Sequence, residues 1–191
     1  MKKYIDIVNK IHASPYKLTI VSSGGGTNAI SALLQVAGAS NTILESHIPY
    51  SKESMDTFLN KKPDHYCSLD TCLNMAANAY KKSKQVDSTS KTKHLLGIAI
   101  TANLATTYEK KGDHKFFIVI QAYDYTKYLE CFLEKGKRTR EEEEELITSC
   151  VISLLAYSCG VNFKLPSIDE EIHINQINAE KSWKKLFNNK V

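Results

Sequence analysis

The sequence lacks the features that identify zinc-binding, disulfide-rich, membrane-spanning and nucleic-acid-binding proteins. Its five cysteines form no Cys-x-x-Cys pair, and no histidine lies at a zinc-like spacing from them, so neither a zinc site nor a disulfide framework is indicated. No apolar run approaches the roughly 20 residues that span a bilayer, and the first residues lack the apolar core of a signal peptide. The net charge of +4 is too small and too dispersed to argue for nucleic acid. We therefore expect a cytoplasmic protein with reduced thiols that binds neither nucleic acid nor membranes and needs no metal or cofactor.

What is present is an ordinary globular composition with one concentrated feature. Hydrophobic residues make up 42% and charged residues 24% of the 191 residues, which predicts one packed domain with at most a short appendage. Only eight glycines occur, and three of them are consecutive, at Gly24, Gly25 and Gly26.

Helical and extended patterns alternate along most of the chain. Residues 17–21 and 95–101 have apolar side chains at both odd-numbered and even-numbered positions, which is typical of strands buried on both faces. Residues 42–48 predict a further strand. Residues 115–123 and 125–133 predict an antiparallel pair. Helical spacing follows Gly26, Ser51 and Ser68, and Thr139 with Glu142 has the spacing of a capping box. The pattern predicts an α/β fold, a three-layer α/β/α sandwich with a mixed, largely parallel sheet and an antiparallel strand pair.

The domain prediction places this fold in residues 1–160. Residues 161–191 form a more polar C-terminal extension with one predicted amphipathic helix, which carries Ile177, Trp183 and Leu186. That helix is a candidate contact with the body of the protein or with a second subunit.

The glycine triplet follows directly on a predicted buried strand and precedes a predicted helix. Ligands of open α/β sheets bind at such strand ends, where backbone N–H groups can approach a phosphate or an oxyanion. Ser22 and Ser23 place hydroxyl groups there, and Gly24, Gly25 and Gly26 make that close approach possible. The alternative is a tight turn with helix-capping serines, because a glycine triplet is neither a dinucleotide fingerprint nor a Walker loop.

Polar residues also follow the second and third predicted strands. Tyr50 and Lys52 offer a hydroxyl and an amine that could serve Ser22 as a base, and Thr101 and Asn103 could hydrogen-bond a ligand. Arg138 lies before the last long helix and could hold a phosphate. Taken one by one, each of these residues also fits an ordinary turn or a solvated surface. Their convergence on one edge of the sheet is what favours a site.

These segments, in this order, resemble the C-terminal domain of the CinA family of competence/damage-inducible proteins, over about residues 4–160. The family pattern Glu-Ser-Cys-Thr-Gly-Gly aligns with residues 21–26, and Tyr-Ser-Asn-x-x-Lys aligns with residues 50–55. The family's Thr-Gly-Ile-Ala-Gly-Pro segment corresponds to the segment 101–105, and its Gly-x-Arg aligns with residues 136–138. Two positions depart from the pattern: Val21 stands where the family has an acid, and Met55 stands where it has a lysine.

The resemblance implies an amidohydrolase similar to nicotinamide mononucleotide deamidase. By analogy, Ser22 attacks the carboxamide, Tyr50 with Lys52 handles the proton, and N–H groups of residues 24–26 stabilise the oxyanion. Ser23, Thr101, Asn103 and Arg138 would bind the pyridine nucleotide. The family also implies a homo-oligomer.

Two other functions stay open at this stage. The departures at Val21 and Met55 favour a catalytically degenerate module that binds a nucleotide, or a nucleotidyltransferase-like partner, without hydrolysis. A phosphate-binding enzyme that uses the glycine triplet as an anion nest is the third interpretation.

Overall fold

The computed structural model describes residues 2–108, 111–162 and 164–180. The predicted α/β fold, a three-layer sandwich with a mixed sheet, is confirmed. The helices are α1 Ile5–His12, α2 Thr27–Leu34, α3 Lys52–Leu59, α4 Leu69–Val86 and α5 Arg140–Ser158. The strands are β1 Lys17–Ser23, β2 Ile43–His47, β3 Leu95–Asn103, β4 His114–Gln121, β5 Tyr125–Leu133 and β6 Ile172–Asn178.

One six-stranded sheet, in the order β2-β1-β3-β4-β5-β6, forms the middle layer. Strand β1 runs parallel to β2 and β3, and the pairings from β3 to β6 are antiparallel. Ser22 pairs with Ile100 and Ser23 with Thr101, so the carboxyl ends of β1 and β3 lie side by side. The expected neighbourhood of these strand ends is therefore confirmed.

The two outer layers bury the two faces of the sheet. Helices α1, α2 and α5 cover one face, where Ile20, Ile98 and Val151 belong to the larger apolar cluster. Helices α3 and α4 cover the other face over a smaller cluster that includes Val21 and Met55. Helix α4 lies very close to β3, because a Cβ on Gly97 would fall 2.2 Å from the backbone nitrogen of Tyr80. A side chain at this position would therefore collide with the backbone of α4.

Local capping explains where α3, α4 and α5 begin. The side chain of Ser51 accepts the N–H of Ser54 at the start of α3, and Ser68 accepts that of Thr71 at the start of α4. Thr139 and Glu142 form the predicted capping box at the start of α5. None of the helices that the structure describes is long and apolar enough to cross a membrane.

The C-terminal extension differs from its prediction. Ile177 lies in a strand rather than a helix, because β6 pairs antiparallel with β5 and completes that strand's backbone hydrogen bonds. Trp183 and Leu186, the other residues of the predicted helix, lie outside the described residues. Part of the extension therefore belongs to the sheet.

Candidate functional site

The glycine turn between β1 and α2 is the centre of the candidate site. Gly24 and Gly26 have φ angles of 77° and 90°, which side-chain-bearing residues rarely adopt. A Cβ on Gly24 would lie 1.9 Å from the carbonyl oxygen of Ala102 in β3. Glycine is required here by both the backbone conformation and the close approach of β3.

The two serines before the turn are hydrogen-bonded to backbone carbonyls. Ser22 is fully buried, and its hydroxyl donates to the carbonyl oxygen of Gly25 at 2.5 Å. The Ser23 hydroxyl donates to the carbonyl oxygen of Pro49 at 3.0 Å. Both side chains therefore hold the turn and the β2–α3 connection in place.

Glu144 of α5 occupies the N-terminus of α2. Its carboxylate accepts the N–H of Gly26 at 2.7 Å and the N–H of Asn28 at 3.0 Å, and it also accepts the hydroxyl of Thr27 at 3.2 Å. Helix α2 has no side-chain cap at Gly26, so Glu144 supplies the negative charge that its dipole and free N–H groups favour. A side chain of this same chain thus binds the N–H groups at which the sequence analysis expects an anionic ligand.

Its neighbour Glu143 is fully buried and forms a second bridge. One carboxylate oxygen lies 2.9 Å from Nδ1 of His114 in β4, and the other accepts the N–H of Ala105 at 2.6 Å. Burying a carboxylate is costly unless it is paired and hydrogen-bonded, and both conditions are met here. Glu143 thereby attaches α5 to the loop after β3.

The two arginines at the start of α5 have different partners. Arg138 forms a bidentate pair with Glu170, and one of its two hydrogen bonds measures 2.7 Å. The hydrogen bond from Arg138 lowers the pKa of Glu170 to about 2. Arg140 donates to the carbonyl oxygens of Gly24 at 2.7 Å and Ala105 at 3.4 Å. Among the described residues, no carboxylate pairs with Arg140.

Neither of the predicted base residues is hydrogen-bonded to the Ser22 hydroxyl, which donates to the Gly25 carbonyl. Tyr50 is 71% exposed, and the Lys52 ammonium lies 5.8 Å from the ring centroid of Tyr66. Met55 is buried in the same apolar cluster as Val21. The two positions that depart from the CinA pattern are thus core positions on one face of the sheet.

The two predicted ligand-binding residues of β3 are hydrogen-bonded to carbonyl groups. The buried Thr101 hydroxyl donates to the carbonyl oxygen of Tyr66 at 2.9 Å, and the Asn103 amide donates to that of Asp113 at 2.7 Å. These bonds fix the loops on either side of the end of β3.

A groove of about 690 Å³ lies beside this strand end. Its lining includes the cationic residues Lys135, Arg138 and Arg140, and also His114 and the ring of Tyr108. The volume falls within the range of sites that bind small molecules, which is about 300–1,000 Å³. No group of three or more His, Cys, Asp or Glu residues able to hold a metal ion occurs in the described part of the chain.

Sequence reasoning missed Glu143, Glu144 and His114 as members of this site. Glu143 and Glu144 stand within a run of five glutamates, 141–145, at the start of α5, where the helix dipole by itself favours negative charge, so the run gives no sign of more distant partners. One signal was available: Gly26 offers α2 no capping side chain, which leaves its N–H groups to be satisfied from elsewhere.

No protein-family model matches the sequence, and no curated protein matches it. Solved structures do. Competence/damage inducible protein CihA from Agrobacterium tumefaciens has a TM-score of 0.60 at 15% identity, over 80% of this chain and 93% of that one. The competence or damage-inducible protein from Enterobacter asburiae has a TM-score of 0.63 at 16% identity, over 80% and 96% of the two chains.

A third match is the competence damage-inducible protein A (ComA) from Klebsiella pneumoniae, with a TM-score of 0.65 at 13% identity over 80% of this chain and 94% of that one. A protein from Enterobacter cloacae, described as a member of the CinA superfamily, has a TM-score of 0.60 at 15% identity, over 79% and 91% of the chains. The matches span nearly the whole length of these proteins. The chain therefore has the fold of these competence/damage-inducible proteins.

Proposed function

We propose that this chain is a non-hydrolytic CinA-like module that binds an anionic nucleotide. The observation that carries the first half of the proposal is the state of Ser22. Its hydroxyl is buried and donates to the Gly25 carbonyl, and no basic side chain among the described residues accepts its proton. A serine nucleophile is weak unless an adjacent base activates it.

The surroundings of Ser22 support the same conclusion. Val21 and Met55, at the positions where the CinA pattern has an acid and a lysine, pack into an apolar cluster. Lys52, the remaining amine on that helix, has its ammonium near the Tyr66 ring, and no hydrogen bond joins it to Ser22. Loss of a general base costs about 10²–10⁴ in rate when nothing replaces it.

The glycine turn is also unsuited to stabilising an oxyanion. An oxyanion hole needs N–H donors that are free to face the developing negative charge. The N–H of Gly26 is already donated to the Glu144 carboxylate at 2.7 Å. A second negative charge at the same place would be repelled.

The cationic groove beside β3 supports the second half of the proposal. Arg140 has no carboxylate partner among the described residues, and it lines the groove beside Lys135 and Arg138. Tyr108 is 68% exposed and offers a ring on which a base can stack. The nucleotide phosphate would bind at Arg140 and the base at Tyr108.

Calorimetric titration with nicotinamide mononucleotide tests the proposal. We expect saturable binding that weakens about tenfold or more in Arg140→Gln, because a charge-assisted hydrogen bond to phosphate is lost. The matched control is Lys137→Gln, which removes a cation that pairs with Asp169 and does not line the groove. No binding to the wild type, or equal weakening in both variants, would contradict a nucleotide site at this groove.

Hydrolysis of the nucleotide's carboxamide, as in nicotinamide mononucleotide deamidase, is the competing prediction. It would require Glu144 to leave the Gly26 N–H and a base to reach Ser22. Release of ammonia by the wild type is the result that would favour it.

A further inference from the structure

A second pocket lies toward the other end of α5 from the glycine turn. It has a volume of about 380 Å³ and is bounded by the C-terminal half of α5, by β5 and β6, and by Leu165. Most of its lining is apolar, with Leu154, Leu165 and Ile174 as its aliphatic members. The candidate nucleotide groove shares none of these residues.

One buried cation lines this pocket. Lys127 lies in the inward-facing row of β5, where the neighbouring positions Leu129 and Cys131 are fully buried, and Lys127 itself is only 6% exposed. Its ammonium stands 3.4 Å from the centroid of the Tyr157 ring and 5.9 Å from that of Tyr125. A lysine at an inward position of a central strand is unusual, because a buried charge is costly unless it is paired.

The aromatic rings satisfy this ammonium only in part. An ammonium group has three N–H donors, whereas a ring face attracts the charge without accepting a full set of hydrogen bonds. Among the residues that the structure describes, the Lys127 ammonium has ring contacts but no hydrogen bond, and no carboxylate lies within ion-pair distance of it. The group that would complete its environment is an anion entering from the pocket.

We propose that this pocket binds a small hydrophobic monocarboxylate. The carboxylate would pair with the Lys127 ammonium, and the apolar body of the acid would contact Leu154, Leu165 and Ile174. A single charge on the ligand fits a single lining cation, whereas a phosphate or a dicarboxylate needs more donors than this lining offers. The volume lies near the lower end of the range for small-molecule sites, so the ligand is of the size of octanoate.

Calorimetric titration with octanoate and with octan-1-ol, which differs in its uncharged head group, tests the proposal. We expect octanoate to bind the wild type about tenfold more tightly than the alcohol. Lys127→Met should remove that preference, whereas Lys127→Arg should keep it. Lys10→Met, which removes an exposed cation of α1, is the control and should bind octanoate as the wild type does.

A further variant shows where the acid binds. Ile174 is 41% exposed, so Ile174→Trp should fold normally, as a thermal unfolding scan can verify, and its ring should fill the pocket. We expect it to lose octanoate and the alcohol together. Equal affinity of the wild type for the two compounds, no octanoate binding, unchanged binding by Lys127→Met, or unchanged binding by Ile174→Trp would each overturn the proposal.

Discussion

The carboxylate of Glu144 accepts the N–H of Gly26 at 2.7 Å, across 118 residues of sequence. The contact joins the start of α5 to the start of α2 at the place where the CinA pattern leads one to expect a ligand's oxyanion. It also pairs a glycine that has no capping side chain with an acid that supplies the cap. This relationship holds the turn in place and supports the proposal that the turn does not stabilise an oxyanion.

Removing the Glu144 carboxylate should destabilise the fold. Glu144→Ala leaves the N–H groups of Gly26 and Asn28 without their acceptor, and we expect a loss of about 2 kcal/mol in the free energy of unfolding. The control is Glu141→Ala, an exposed glutamate of the same helical turn, which should lose less than about 0.5 kcal/mol. Urea denaturation measures both. Equal losses would mean that Glu144 does not cap α2.

Gly24 should tolerate substitution much less well than another glycine of similar φ angle. Gly24→Ala combines an unfavourable φ angle of 77° with a collision against the Ala102 carbonyl, and it should cost about 3 kcal/mol or more. Gly160 has a φ of 75° with nothing within 4 Å of an added Cβ, so Gly160→Ala should cost only about 1 kcal/mol. Chemical denaturation of the two variants checks the difference. Similar costs would show that β3 does not press on the turn.

The pair between Arg138 and Glu170 should make stability depend on pH. The pKa of Glu170 is lowered from 4.5 to about 2 by its bond to Arg138, so the pair stabilises the folded state above pH 4.5. That contribution is lost as the pH falls from 4.5 toward 2. Glu170→Gln should therefore be about 2 kcal/mol less stable than the wild type at neutral pH and nearly equal to it in strong acid.

Unfolding free energies measured across this pH range test that expectation. Glu171→Gln, an exposed neighbour, is the control and should follow the wild type. A constant difference between Glu170→Gln and the wild type at all pH values would contradict the assigned ion pair.

Restoring the lysine of the CinA pattern should damage the fold rather than create a catalyst. Met55 is 1% exposed in an apolar cluster, so Met55→Lys would bury a cation and should cost about 3 kcal/mol. Met55→Leu conserves volume and should cost less than about 1.5 kcal/mol. Thermal unfolding of both, with an ammonia assay of Met55→Lys, is the measurement. A stable Met55→Lys protein that releases ammonia would show that a lysine at position 55 can reach the site and act there.

Most of the fold could be predicted because the residues that determine its helices and strands lie close together in the sequence. Ser51, Ser68 and the Thr139–Glu142 box each cap a helix within three or four residues of sequence, and the buried strands have continuous apolar runs. Strand β6 was missed because its assignment depends on pairing with β5, which no short window of sequence contains.

The sequence could predict where the site lies but not which residues its side chains contact. The sequence predicts that Ser22, the glycine triplet and Thr101 lie at one edge of the sheet, and the register of β1 with β3 confirms this. The partners of these groups come from far along the chain. Glu144 reaches Gly26, Glu170 reaches Arg138, and Glu143 reaches His114 by tertiary packing, so residue type and spacing could not reveal them.

The most direct test of the central claim is ammonia release from nicotinamide mononucleotide, measured on the wild type and on Ser22→Ala under conditions where calorimetry shows the nucleotide to be bound. The account predicts binding without ammonia release above the background of buffer by either protein. Ammonia released by the wild type and lost in Ser22→Ala would contradict it, because Ser22 would then be a working nucleophile.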